Sequence, residues 1–267
     1  MAKKTVLISG GSRGLGFAMA KLLINGSEKI APSNVVTLSR SFTDELRELA
    51  ETPEGKSSLA VMQGDVTSLE DNKRAVQKAV SEFGQLNALI LNAGILCADK
   101  LADLEHERFM HAINVNTASL IVTLQASLPE LRKQHGNVVF VSSGSAVSGS
   151  SSWGAYSASK AAMNSIARTL ATEETEVASF PVRPGVVDTN MQSEIRSAEH
   201  IAPEMRAKFV EMHKNGKLLP PEKPAHVLAA LALGGTRNEP KNAQGVEIGA
   251  TGTFCSWDDE ALAQYQL

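Results

Sequence analysis

The stretch "TVLISGGSRGLG", Thr5–Gly16, reads as a strand running into a glycine-rich turn and the start of a helix. Apolar and β-branched residues open it, glycines stand at 10, 11, 14 and 16, and the apolar-periodic "FAMAKLLI" follows. In that context a backbone approaches a pyrophosphate closely and a helix N-terminus receives its charge. Gly10, Gly14 and Gly16 follow the spacing GxxxGxG, whereas the commoner dinucleotide fingerprint is GxGxxG. A flexible turn without a ligand is the competing reading.

The pattern repeats along the chain, with short apolar runs alternating with longer segments of helical period. Strands are expected at "TVLI" from Thr5, "NVVTLS" from Asn34, "LAVMQ" from Leu59, "ALIL" from Ala88, "NVVFVS" from Asn137 and "VASFPV" from Val177, with a seventh at "GVEIGA". Between them lie helices such as Ser68 to Phe83, where Val76, Ala79, Val80 and Phe83 recur at three- and four-residue steps and Ser68 with Asp71 forms an N-terminal cap. This alternation is the signature of βαβ units. Continuous runs such as "NVVFV" suit strands covered on both faces. The expected fold is therefore α/β: one Rossmann-type domain over residues 1–267, a doubly wound parallel sheet of about seven strands with helices on both faces. Ser150 to Ser152 and "LLPPEKP" around Pro220 read as loops within that domain. Pro181 interrupts a strand that ought to be central, so the sixth strand is expected to begin late or to carry a bulge.

Composition narrows the function. A chain of 267 residues, 43% hydrophobic and 21% charged, can bury a substantial core, and its formal net charge of -3 offers no basic footprint for a nucleic acid. Cys97 and Cys255 are far apart and lack ligand spacing, which indicates neither a disulfide framework nor zinc. His106, His111, His135, His200, His213 and His226 are scattered and are expected on the surface, with no metal bound. The apolar run in "MAKKTVLISG" is too short for a signal or a membrane span, so a cytoplasmic protein is expected.

The end of the second strand bears on the ligand. An acid there would hydrogen-bond the ribose 2′-hydroxyl of NAD; this chain instead reads "TLSRSF", with Ser39 and Arg40, and carries Arg13 inside the glycine-rich loop. Two guanidinium forks with no carboxylate nearby suit a 2′-phosphate, which favours NADP (NADPH). The alternative is that each arginine is a solvated surface charge.

These residues, with "GDVT" at Asp65, "LNAG" after the fourth strand, "NVN" at Asn116, "VSSGS" at Ser143, "YSASK" at Tyr156 to Lys160 and "RPGVVDT", occur in an order that resembles the short-chain dehydrogenase/reductase family over nearly the whole chain. "SSWGAYSASKAA" and "PGVVDTNMQ" are most similar to its sepiapterin reductases and fungal benzil reductases. The resemblance implies that Tyr156 protonates a carbonyl oxygen, that Lys160, one helical turn along, favours the phenolate, that Ser143 hydrogen-bonds the substrate oxygen, and that Asn116 holds a relay water near Lys160. It implies cofactor contacts from Gly10, Ser12, Arg13, Gly14, Leu15 and Gly16, from Ser39 and Arg40, and from Asp65 and Val66 near the adenine. Asn92, Ala93 and Gly94 lie along the cofactor, with Tyr156, Lys160, Pro184, Gly185, Val187 and Thr189 at its nicotinamide end. Leu91 departs from the family, which usually has a second asparagine there.

Substrate recognition is expected in a lid over about 190–221, where Met191, Ile195, Ile201, Met205, Phe209 and Met212 make an apolar, adaptable surface. Trp153 either walls that pocket or packs in the core. The expected activity is NADPH-dependent reduction of a ketone or vicinal diketone, a small-molecule carbonyl substrate, by a homodimer or homotetramer with no membrane or nucleic-acid partner. Two alternatives stay open: an NADP-linked alcohol dehydrogenase working oxidatively, and a non-catalytic NADP-sensing protein.

Overall fold

The computed structural model describes residues 2–198 and 201–267. Its strands are β1 (Thr5–Ser9), β2 (Asn34–Ser39), β3 (Leu59–Gln63), β4 (Ala88–Leu91), β5 (Asn137–Val141), β6 (Ala178–Arg183) and β7 (Cys255–Ser256). Among the described residues they form one seven-stranded sheet in the order β3-β2-β1-β4-β5-β6-β7, with every pair parallel.

The inner strand runs are mostly apolar because both faces are covered. Val6, Ile8, Val35, Ala88, Ile90, Val139 and Val141 turn to one face, against α1 (Gly14–Asn25), α2 (Asp44–Glu51) and α10 (Glu222–Gly234). The alternate residues Leu7, Val36, Leu38, Leu89, Leu91, Val138 and Phe140 turn to the other, against α4 (Leu69–Phe83), α6 (Ser119–Lys133) and α7 (Gly154–Glu173). The period of two along each strand thus feeds two cores. Leu91, where the family has asparagine, is one of these core residues and is buried.

The remaining helices are α3 (Pro53–Ser58), α5 (His106–Ile113), α8 (Asn190–Ser197), α9 (Pro203–Lys214) and α11 (Ile248–Thr251), and one π-turn, Asn114–Ala118, joins α5 to α6. Ser68 caps α4 as expected, its hydroxyl accepting from Asp71 N at 3.2 Å. Glycines cap where the chain must reverse: Gly84 ends α4 at φ 80°.

Three expectations are corrected. "GVEIGA" is not a strand: Glu247 makes an isolated antiparallel bridge to Lys241, and Ile248 starts α11. The seventh strand is Cys255–Ser256, too short for a periodic signal. Pro181 neither delays β6 nor bulges it; the register from Asn137↔Ala178 to Val141↔Val182 is unbroken. The Val182 carbonyl faces β5, accepting from Ser142 N, and the Arg183 carbonyl faces the other way, accepting from Trp257 N. Pro181 therefore turns toward β7, which begins only opposite Val182, and its missing N–H removes no ladder bond. "LLPPEKP" is loop only in part: Leu219 bridges Val187, and α10 begins at Glu222.

Candidate active site

The order of β1 and β4 at the centre of the sheet is the topological switch point, and the cleft opens above their carboxyl ends. It is a cavity of about 830 Å³ lined by every residue expected to contact a cofactor, by Ser143, and by Trp153 and Met191.

Its glycine-rich wall is built by close approach. Gly10 adopts φ +70°, and a Cβ there would lie 2.9 Å from Ala93 Cα; a Cβ on Gly16 would lie 2.1 Å from the Gly10 carbonyl oxygen. No side chain fits at either position. Asn92 stitches the β4 end to this turn, its Nδ2 donating to Gly10 O at 2.9 Å, while Ser9 Oγ accepts from Asn92 N and Ala93 N at 3.1 and 3.2 Å.

At one end of the cleft lie Ser39, Arg40, Asp65 and Val66. Ser39 is buried, and its Oγ has no hydrogen-bond partner among the described residues. Arg13 and Arg40 are exposed on the rim. Asp65 accepts from both the N–H and the hydroxyl of Thr67 at 2.8 Å. The backbone hydrogen bond from Thr67 is the main influence holding its carboxyl below the usual range, with the charges of Arg40 and His111 adding to it. The expectation that no carboxylate lies near Arg40 is therefore corrected: Asp65 does, held ionised by its hydrogen bonds from Thr67.

At the other end Tyr156, Lys160 and Ser143 meet. Tyr156 and Lys160 share one face of α7, both buried, and Ser143 comes from the turn after β5. Lys160 Nζ donates to the Val141 carbonyl at 2.7 Å and sits 5.8 Å from the Tyr156 ring centroid. Burial pulls its ammonium down to about 8. Burial pushes the Tyr156 phenol above its ordinary value, and the Ser143 hydroxyl acts in the opposite sense. The expected lowering of Tyr156 by Lys160 is thus not what the fold produces: desolvation of the anion dominates, and the opposing influence is the Ser143 hydroxyl.

Asn116 is fully buried in the π-turn and does not line the cleft. Its Oδ1 accepts from Ile95 N at 2.8 Å, and its Nδ2 donates to Ile95 O at 3.0 Å and Ser159 Oγ at 3.2 Å. These bonds fasten the β4 loop to α7. A π-turn at a functional site is a recurrent device.

Trp153 resolves as both wall and core. Its ring meets Tyr156 edge-on at 5.6 Å and Phe209 at 5.9 Å, and it lines the cleft. With Ala98, Tyr156, Ile195 and Ile201 it forms a separate apolar cluster onto which Met191, Met205 and Phe209 pack from α8 and α9; Met212 is half-buried outside it. The loop after β6 is backed by Leu219 and Trp257, which would stand 2.6 and 3.1 Å from a Cβ on Gly185.

Sequence reasoning missed His111, which is exposed yet lines the cleft with Asn114 and Val115; nothing in its own segment marks it out. His226 is not on the surface: it is buried between Ser27 Oγ at 3.0 Å and the Tyr265 carbonyl at 2.8 Å. His200 lies outside the described residues. Among the described residues no group of three or more His, Cys, Asp or Glu is placed to hold a metal, and no helix is long and apolar enough to cross a membrane.

A doubly wound parallel sheet, a glycine cradle at its switch point and a Ser, Tyr, Lys cluster at the far end of one cleft define a nicotinamide-dinucleotide oxidoreductase. The chain belongs to the short chain dehydrogenase family, whose profile matches residues 4–200. It is 37% identical to an uncharacterised oxidoreductase of Schizosaccharomyces pombe over 96% of this chain and 97% of the relative. It is 30% identical to a benzil reductase ((S)-benzoin forming) of Saccharomyces cerevisiae over 98% and 99%. The crystal structure of a short chain dehydrogenase/reductase from Saccharomyces cerevisiae, 34% identical, superimposes with a TM-score of 0.88 over 99% of this chain and 100% of that one. The cleft fits the family's cofactor on its own geometry: the turn accepts no Cβ, and the buried Ser39 hydroxyl awaits a partner at the adenosine end.

Proposed function

We propose that this chain is an NADPH-dependent carbonyl reductase acting on ketones or vicinal diketones that carry aryl or other bulky apolar groups. One observation carries the reading. A single cleft joins two arginines at one end to Ser143, Tyr156 and Lys160 at the other, beneath an apolar wall of Trp153, Met191, Ile195, Met205 and Phe209.

The bound dinucleotide supplies a hydride for the carbonyl carbon. Tyr156 gives its hydroxyl proton to the carbonyl oxygen, a role for which a phenol kept protonated by burial is suited. Ser143 donates a hydrogen bond to the same oxygen and stabilises the charge that grows there. Lys160, with its ammonium near 8, exchanges protons close to neutrality and restores the phenol. Asn116 holds the loop after β4 against α7, so that Tyr156 and Lys160 keep their places. The segment about 190–221 acts as a lid whose α8 and α9 exclude water from the apolar end. Ser39, Arg13 and Arg40 hold the 2′-phosphate. The similarity to a benzil reductase supports a diketone substrate. Family members are often oligomeric, and a homodimer or homotetramer working in the cytoplasm is part of this reading.

The test is NADPH consumption by the purified chain over α-diketones, aryl ketones, pterins, aldehydes, small ketones and sugars. Carbonyl-dependent oxidation led by the aryl diketones is expected. No carbonyl-dependent oxidation of either cofactor, or a higher specificity constant for acetone or a sugar, counts against it.

A further inference from the structure

The Thr43 hydroxyl joins the two segments that carry Arg13 and Arg40. Thr43 follows β2 and is the N-cap of α2, where its Oγ1 accepts from Leu46 N at 3.3 Å. The same oxygen donates to the Ser12 carbonyl at 2.7 Å, across 31 residues of sequence. The first bond is an ordinary cap, local to its own helix. The second ties the glycine-rich turn to the segment after β2.

That tie has a directional consequence. A trans peptide is planar and its C=O and N–H point to opposite sides, so holding the Ser12 carbonyl toward α2 turns the Arg13 N–H away from it. Arg13 is the N-cap residue of α1, in extended conformation at φ −153° and ψ 167°, and it lines the cleft together with Ser12, Ser39, Arg40 and Ser41. Two guanidinium groups repel each other when no anion lies between them, and each long side chain loses freedom when it is ordered. Fixing the two backbones relative to each other reduces what binding must then arrange.

We propose that Thr43 is a positioning residue for recognition of a phosphate on the adenosine ribose. Its hydroxyl locks the turn bearing Arg13 to the segment bearing Arg40, so that both forks grip one dianion. The inference rests on the NADPH reading above and adds the residue that assembles its phosphate site. A hydroxyl suits the task because it accepts and donates at once; valine, of the same shape, does neither, and serine does both.

The experiment is calorimetric titration of the full chain and of Thr43→Val and Thr43→Ser with NADPH and with NADH, without substrate. Adenosine 2′,5′-bisphosphate and 5′-AMP serve as a second pair of probes independent of the nicotinamide end. Wild type and Thr43→Ser are expected to share one preference for the 2′-phosphorylated ligands. Thr43→Val is expected to bind them about tenfold more weakly, with NADH and 5′-AMP changed less than about threefold, the scale of one misaligned charged hydrogen bond. Thr43→Ala is a second variant of the same design should the valine chain fail to fold, and thermal midpoints record the stability each chain loses with the hydroxyl, while the ratio between phosphorylated and unphosphorylated ligands reads the phosphate site. A Thr43→Val chain that keeps the wild-type preference, or weakens for all four ligands alike, overturns the proposal. A wild type that binds NADPH and NADH equally overturns the cofactor reading itself, and this proposal with it.

Discussion

Lys160 donates a 2.7 Å hydrogen bond to the Val141 carbonyl at the end of β5. The helical spacing of "YSASK" puts the ammonium on the face of Tyr156, and the strand end decides where on that face it stops. Buried with this partner, Lys160 carries its charge at a cost, which is why its ammonium falls to about 8 from 10.5.

The first prediction follows from the sign of that shift. Below pH 8 Lys160 is charged in both folded and unfolded chains and the folded chain bears the desolvation cost; near 10.5 and above, neither is charged and the cost is gone. Between those values the unfolded chain binds more protons, so this group makes stability rise with pH. Lys160→Met should remove that rise, with a difference from wild type of up to about 3 kcal/mol at neutral pH that shrinks toward pH 10.5. Urea unfolding of both chains at pH 7, 8, 9 and 10 measures it. A difference that does not vary with pH counts against a depressed lysine.

Tyr156→Phe should bind NADPH as wild type does while losing roughly 10²- to 10⁴-fold in carbonyl reduction, the range for a missing general acid. The ring still meets Trp153 edge-on, so packing is kept and the proton donor alone is gone. Cofactor titration beside single-turnover rates reads the two separately, and turnover within twofold of wild type would remove Tyr156 from the role.

Arg40→Ala should lower the preference for NADPH over NADH by roughly ten- to a hundredfold, since a charged hydrogen bond contributes about 1.5 to 3 kcal/mol. The nearby Asp65 carboxylate makes the loss greater in the combined Ser39→Asp, Arg40→Ala chain, where no guanidinium remains at this strand end to offset two acids. The preference should also shrink as salt rises, because the rim is exposed. Specificity constants for both cofactors at two ionic strengths check it; an unchanged ratio in Arg40→Ala would leave that arginine a solvated charge.

Trp153→Leu should reduce the specificity constant for an aryl diketone at least about tenfold and that for a small aliphatic ketone by less than about threefold. The ring stands between Tyr156 and Phe209, where an aromatic pair contributes about 0.5 to 1.5 kcal/mol beyond its burial. Equal losses for both substrates would mark a core residue with no part in selecting the guest.

The sequence by itself determined the scaffold. Six strands lie where the apolar runs place them, because a strand covered on both faces is apolar at most positions, and that signal is local. Gly10, Gly14 and Gly16, and the pair Tyr156 and Lys160, were legible for the same reason: a turn and a helix each put residues of fixed spacing together without help from the rest of the chain. What only the tertiary structure decided depends on partners distant in sequence. Cys255–Ser256 is a strand because β6 offers it an edge, and Pro181 is harmless because that edge starts late. Asn116 spends its amide on Ile95 and Ser159, His111 reaches the cleft, and His226 is buried under the C-terminal Tyr265 carbonyl. Tyr156 is pushed up where its lysine neighbour suggested it would be lowered. A residue's spacing is written in its own segment, but its burial, its hydrogen-bond partner and the water it loses are set by chain that arrives from elsewhere in the fold.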